Sequence, residues 1–163
     1  MNFSIQPTIV HRQQELPMSC GAASIAMLFG VEEKLIRKEV GTNSTGTPWH
    51  GVLSFFKRIN LNVEMVDINQ SYFDAIDNLI TLSYKFPIYS GATYLAKNQK
   101  RGRPCKRVHA ALIADGMIYD PAEDREIGGE AYIKTFNKEL IFDSIIIIDQ
   151  ERPNFLRNCR ERY

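Results

Sequence analysis

Four residues of this chain have the types and spacing for acyl chemistry: Gln14, Cys20, His109 and Asp120. A cysteine attacks as the thiolate, and the first turn of a helix favours that form through its free backbone N–H groups and dipole. Pro17-Met18-Ser19 precedes an apolar run of small residues, 20–29, that reads as a closely packed helix stopped by Gly30. Ser19 is the expected N-cap, which puts Cys20 in the first turn. Position alone does not separate a reactive cysteine from a small buried apolar residue, the commonest use of a free thiol.

His109 and Asp120 flank a hairpin signal, Asp115-Gly116 between two apolar runs. With Asp-Gly as a two-residue turn, Ala114 faces Met117, His109 faces Ala122 and Asp120 faces Ala111. His109 and Asp120 are then diagonal neighbours on one face, with Cα atoms about 7–8 Å apart. A carboxylate on one ring nitrogen fixes the tautomer and leaves the other nitrogen for proton transfer. A hydrogen-bonded structural histidine satisfies the same pattern. Gln14, six positions before Cys20, has an amide able to donate to an oxyanion beside the nucleophile's own N–H. By itself it reads equally as a solvated glutamine.

The elements that must position these groups follow from periodicity. Helices are expected over 20–29, 32–40, 50–59 and 71–82, with turn residues at 41–46. Strands are expected over 61–68, 87–89 leading towards 94–95, 108–114, 117–119 and 145–148, with a charged tail at 152–163. Helices lead and strands follow, so the class is α+β in a single domain spanning 1–163.

Hydrophobic residues make up 44% and charged residues 24% of the 163, which is globular usage and excludes a disordered or fibrous chain. A net charge of +1 indicates neither nucleic acid nor an acidic ligand in bulk. No apolar run is long enough to cross a bilayer, and the start of the chain lacks the character of a signal peptide. Three cysteines, Cys20, Cys105 and Cys159, without a C-x-x-C, argue against a disulfide framework and for a reducing cytoplasm. His11, His50 and the Cys105–His109 spacing supply no complete metal set, so neither metal nor cofactor is expected. Trp49 suits either the core or a cleft wall.

Residues 97–107 form a basic segment, and Lys100-Arg101-Gly102-Arg103-Pro104 has the form of an AT-hook core. One copy, Arg101 to Pro104, in a neutral domain makes nucleic acid a weak expectation. A solvated loop, or one that steers an acidic polypeptide into a nearby cleft, fits the charge run better.

Gln14-Glu15-Leu16-Pro17-Met18-Ser19-Cys20-Gly21-Ala22-Ala23 resembles the Gln–five residues–Cys-Gly-Ala-Ala signature of the bacteriocin-processing, or double-glycine, cysteine peptidases. Those are papain-like domains attached to bacteriocin and peptide exporters, with free-standing relatives. His109-Ala110-Ala111-Leu112-Ile113 and Tyr119-Asp120-Pro121-Ala122 are similar to the family's histidine strand and Asp-Pro turn, and Pro87-Ile88 suits the layout. The resemblance runs from Gln14 to Ala122. It implies a papain-like fold, a helical lobe carrying Cys20 against an antiparallel sheet carrying His109 and Asp120. It also implies roles: Cys20 as nucleophile, His109 as base then acid, Asp120 as orienting residue and Gln14 as oxyanion donor, without metal or cofactor, on a peptide or protein substrate.

The chain departs from the pattern in Ser19, where exporters usually carry an acidic or other polar residue, and in its basic segment. No membrane span or nucleotide-binding motif follows, so a free-standing cytoplasmic peptidase is expected. Gly128-Gly129 has the form of the family's cleavage site, but a glycine pair in a loop is common. Two other functions fit the same residues. One is an idle papain-like module that binds protein or DNA through the segment 97–107. The other is a thiol acyltransferase or deamidase, which shares the acyl-enzyme and differs in the acceptor.

Overall fold

The run after Ser19 folds as α1 (Cys20–Phe29), buried at every position from Gly21 onward. A helix apolar on all sides has to be central. Gly30 ends it in the left-handed region at φ 63°, a conformation that costs glycine little. Two amphipathic helices, α2 (Glu33–Val40) and α3 (Trp49–Arg58), bury Ile36, Val40, Val52, Phe55 and Phe56 against it. The computed structural model describes residues 2–97, 104–136 and 141–149.

The rest of the described chain runs β1 (Val63–Ser71), α4 (Tyr72–Ser83), β2 (Ile88–Lys97), β3 (Pro104–Ala114), β4 (Met117–Tyr119), α5 (Gly129–Phe136) and β5 (Ile141–Ile148). The five strands form one antiparallel sheet in the order β1-β5-β2-β3-β4. Strand alternation sorts its side chains onto two faces. Tyr89, Ala110, Leu112, Ala114, Ile146 and Ile148 meet the first three helices. Ile88, Ala92, Ala111, Ile113 and Ile145 meet Ala75, Ile76 and Leu79 of α4 and Tyr132 of α5. The α+β class therefore holds, with a helical layer on each face rather than on one.

The hairpin register is the expected one, Ala114 opposite Met117 and Leu112 opposite Tyr119. Asp115 and Gly116 both have positive φ, 53° and 75°, as a type I′ turn requires. Other boundaries differ. β2 runs without a break to Lys97, and β3 starts at Pro104, where the two strands pair. The ends of the basic segment are thus strand, and 98–103 lie outside the described residues. So do most of the AT-hook-like stretch, the tail at 152–163 and Cys159. Strand β5 starts at Ile141, before the isoleucine run, and α5 is a helix that periodicity did not indicate.

Candidate active site

Cys20 is the first residue of α1 and half-buried. Ser19 occupies the N-cap position but does not cap: its hydroxyl donates to the Leu16 carbonyl (3.0 Å) and accepts from the Leu16 N–H (3.1 Å). The N-cap position is the expected one, and the Ser19 carbonyl accepts the Ala23 N–H at 2.9 Å, but the hydroxyl closes the preceding turn instead of capping the helix. The helix start is instead docked from the other side. The Ala22 N–H donates to Thr47 Oγ1 at 3.2 Å. A Cβ on Gly21 would stand 2.6 Å from both Thr47 Cβ and Tyr89 Oη. The glycine after the nucleophile thus lets α1 settle against the 42–47 turn and the sheet.

His109 lies in β3 opposite Ala92 of β2, beyond the stretch of β3 that pairs with β4. Asp120 follows β4 directly. His109 Nε2 is 2.7 Å from Asp120 Oδ1 and, since a carboxylate only accepts, it is the donor. The same oxygen accepts the Ala122 N–H at 2.8 Å, an Asx turn through Pro121. Oδ2 accepts the Tyr132 hydroxyl at 2.5 Å. Asp120 is 0% exposed and the His109 side chain 11%. The carbonyl of Asp120 accepts from His11 Nε2 at 2.8 Å, and that of Pro121 from the Gln14 N–H at 2.9 Å. Every edge of this turn is held by another segment.

The imidazole of His109 and the Cys20 thiol also hydrogen bond to each other. Burial pushes the thiol up, yet the hydrogen bond and charge of His109, with backbone hydrogen bonds from Ala110 and Gly21, hold it below its ordinary value. Burial likewise disfavours a charged imidazole, but bonds to Asp120 and Cys20 outweigh that and raise His109 to about 10. Desolvation raises the Asp120 carboxyl, whereas His109, Tyr132 and the Ala122 N–H together bring it below the usual carboxylate range. Burial and the nearby Cys20 charge hold the Tyr89 phenol far above its ordinary value, so it stays protonated beside the helix start. These directions all favour the charged forms, thiolate, imidazolium and carboxylate.

Gln14 reaches the same neighbourhood by its backbone, but its side chain is turned into its own loop. Nε2 donates to the carbonyls of Leu16 (2.7 Å) and Pro17 (3.0 Å), and Oε1 is buried without a hydrogen-bond partner. Past this loop lies an open groove of ≈ 660 Å³, bordered by Leu16, Pro17, Met18, Lys38 and Asn43. Trp49 starts α3 and packs on Tyr89 at 5.4 Å between centroids with the rings tilted by 45°, its Nε1 donating to Met65 Sδ at 3.0 Å. His50 is exposed on α3. Gly128 stands in open space and Gly129 begins α5 against Ile76 and Ile80. Among the described residues no three His, Cys, Asp or Glu side chains gather as a metal site, and no helix is long and apolar enough to cross a membrane.

Sequence reasoning paired His109 with Asp120 but missed Tyr132 and His11. Tyr132 lies in the unforeseen helix. His11 was weighed only as a metal ligand, and a bond to a backbone carbonyl leaves no trace in residue spacing.

No protein-family model and no curated protein matches the chain. Solved structures do. A double glycine motif protease from an AMS/PCAT transporter, in complex with the leader peptide, superposes with a TM-score of 0.54 at 19% identity, covering 88% of this chain and 94% of that one. The peptidase domain of Streptococcus ComA, a bi-functional ABC transporter of a quorum-sensing pathway, gives 0.54 at 15% identity, covering 88% and 100%. The fold is therefore that of the papain-like, double-glycine peptidase domains, as the resemblance in sequence implied.

Proposed function

We propose that this chain is a thiol-dependent peptidase, cleaving an amide bond in a peptide or protein through Cys20, His109 and Asp120. The observation that carries the reading is the buried His109–Asp120 pair at 2.7 Å, hydrogen bonded onward to a half-buried thiol at a helix start. The thiol can be reached from outside, the imidazole is tucked in and the carboxylate is sealed. Attack needs access only at sulfur, while the charge behind it gains from a dry setting.

In the acylation step the Cys20 thiolate adds to the scissile carbonyl carbon, and the carbonyl electrons move onto oxygen. The oxyanion is met by the backbone N–H of Cys20 and, in this reading, by the Gln14 amide. Collapse expels the amine as His109 transfers its proton to the leaving nitrogen, which leaves a thioester. Water then attacks the thioester, giving one proton to His109, and release of the acid restores the thiolate–imidazolium pair. Asp120 keeps Nε2 protonated and steadies the imidazolium throughout. The groove along 16–19 and 42–44 has room for a length of substrate chain. A working thiol suits a reducing setting, so the cytoplasm is the proposed compartment.

Mass spectrometry of a lysate incubated with wild type or Cys20→Ala tests the assignment. New peptide termini specific to the wild type are the expected result. Ammonia loss or cross-links would move the chemistry to deamidation or transamidation, and an unchanged lysate would support an idle binding module.

A further inference from the structure

The carboxylate of Asp120 has two oxygens, and His109 accounts for one. A fully buried carboxylate with an empty oxygen takes up a proton well above its usual range, because desolvation penalises only the charged form. Protonated, it no longer steadies the imidazolium. What keeps Oδ2 satisfied therefore decides how far into acid the thiolate survives.

We infer that Tyr132 is the positioning residue that keeps Asp120 ionised and in plane with His109, so that α5 is part of the catalytic apparatus; this rests on the peptidase reading for its purpose but not for its chemistry. Tyr132 is 2% exposed, and its hydroxyl donates to Oδ2 at 2.5 Å. Oδ1 meanwhile takes both the His109 Nε2–H and the Ala122 N–H. With one oxygen doubly held on the imidazole side and the other held by the phenol, the carboxylate cannot rotate without breaking a bond. The phenol reaches this position from the sheet face opposite α1. Ala111 and Ile113 of β3 pack with Tyr132 in one cluster on that face. The titratable groups around Asp120 are His109 from β3, Cys20 beyond it at the start of α1, Tyr132 from α5, and His11 from the N-terminal segment on its carbonyl. Among the bonds described, Tyr132 is the donor to Oδ2.

The test is the pH dependence of Cys20 alkylation by iodoacetamide, which needs no substrate. Tyr132→Phe removes one oxygen and retains the ring. Asp120 should then protonate at higher pH, slowing alkylation about tenfold near pH 5 while changing it less than about twofold near pH 8, a size set by one hydrogen bond to a buried charge. A merely structural loosening would slow alkylation equally at both. In an Asp120→Ala background the same substitution should have no further effect, since a residue acting through Asp120 is silent once Asp120 is gone. Should Tyr132→Phe fail to fold, 3,5-difluorotyrosine at this position keeps the shape, strengthens the donor and should speed alkylation at pH 5. Equal slowing at pH 5 and 8, additivity with Asp120→Ala, or no response to fluorination overturns the proposal. A wild type that lacks peptidase activity but gives the acid-selective effect would sink the peptidase reading and leave this inference standing.

Discussion

Gln14 and Asp120 lie on either side of one backbone hydrogen bond, Gln14 N–H to the Pro121 carbonyl, yet their side chains are treated in opposite ways. The carboxylate is sealed, and both oxygens are taken by groups that favour its charge. The amide spends its nitrogen on two carbonyls of its own loop and leaves its oxygen buried without a partner. The proton-handling half is thus complete before substrate arrives. The oxyanion half has its donor on hand but engaged, and must turn it to use it. Such turning is feasible because Leu16 and Pro17 are exposed, so their carbonyls can return to water. A developing oxyanion also binds an N–H more strongly than a neutral carbonyl does.

The largest expected effect lies in the prebuilt half. His109→Ala should lower turnover by at least about 10³-fold, because it removes both the partner that ionises Cys20 and the acid for the leaving amine. Steady-state kinetics on one cleavable peptide, with folding checked by circular dichroism, is the measurement. Full activity in folded His109→Ala would exclude the catalytic assignment altogether.

Next comes the half that must rearrange. Gln14→Ala should reduce turnover by about 10², the lower end of what losing one oxyanion donor costs, since part of the bond's value goes into leaving Leu16 and Pro17. KM should hardly move, because the interaction belongs to the transition state. A full-strength loss near 10³ would mean that the amide is already free in solution. No loss would shift the oxyanion site to backbone N–H groups alone.

The difference between the halves also explains what could be read from the sequence. Asp115-Gly116 dictates a two-residue turn, and that register carries His109 and Asp120 together by simple counting. Cys20 before an alanine-rich run is likewise a local signal. Tyr132 was out of reach, since 129–136 opens on the second glycine of a pair, spans about two turns and bonds to Asp120 across a tertiary gap. The same limit hid the second helical layer. Ile88, Ala111 and Ile145 alternate with Tyr89, Ala110 and Ile146, so both strand faces are apolar, which announces burial but not which helices provide it. Ser19 is the N-cap by position, as its type suggests, but the turn at 16–19 takes the hydroxyl that would have capped the helix.

A smaller effect is expected from Asp120→Asn. An amide oxygen at the Oδ1 position can still accept from His109 and the Ala122 N–H, while the amide nitrogen turns to the Tyr132 oxygen. Geometry survives and only charge is lost, which should cost about tenfold in turnover, one charge-assisted bond reduced to a neutral one. The pH profile sharpens this. The active thiolate–imidazolium pair exists above the lowered Cys20 value and below the His109 value of about 10. Removing the carboxylate charge should bring the alkaline limb down towards neutrality. An unmoved limb would show that Cys20 alone holds the imidazolium.

The smallest effect should come from Ser19→Ala, in the loop that carries Gln14's acceptors. The Ser19 hydroxyl, on a residue 0% exposed, holds both the N–H and the carbonyl of Leu16. Its loss leaves the N–H without that acceptor, at a cost of about 1 kcal/mol in folding free energy, since water can reach the exposed Leu16 and replace much of the bond. Urea titration would measure this. Turnover should fall only a few-fold, because Thr47 and Tyr89, not Ser19, dock the start of α1. A looser Leu16 carbonyl should also release the Gln14 amide more readily. Part of the loss should then be recovered in the step that forms the oxyanion, and Ser19→Ala should cost less in kcat than in stability. A fall in kcat as large as that of Gln14→Ala would break the comparison, because the loop itself, rather than the amide it holds, would then be the element that meets the oxyanion.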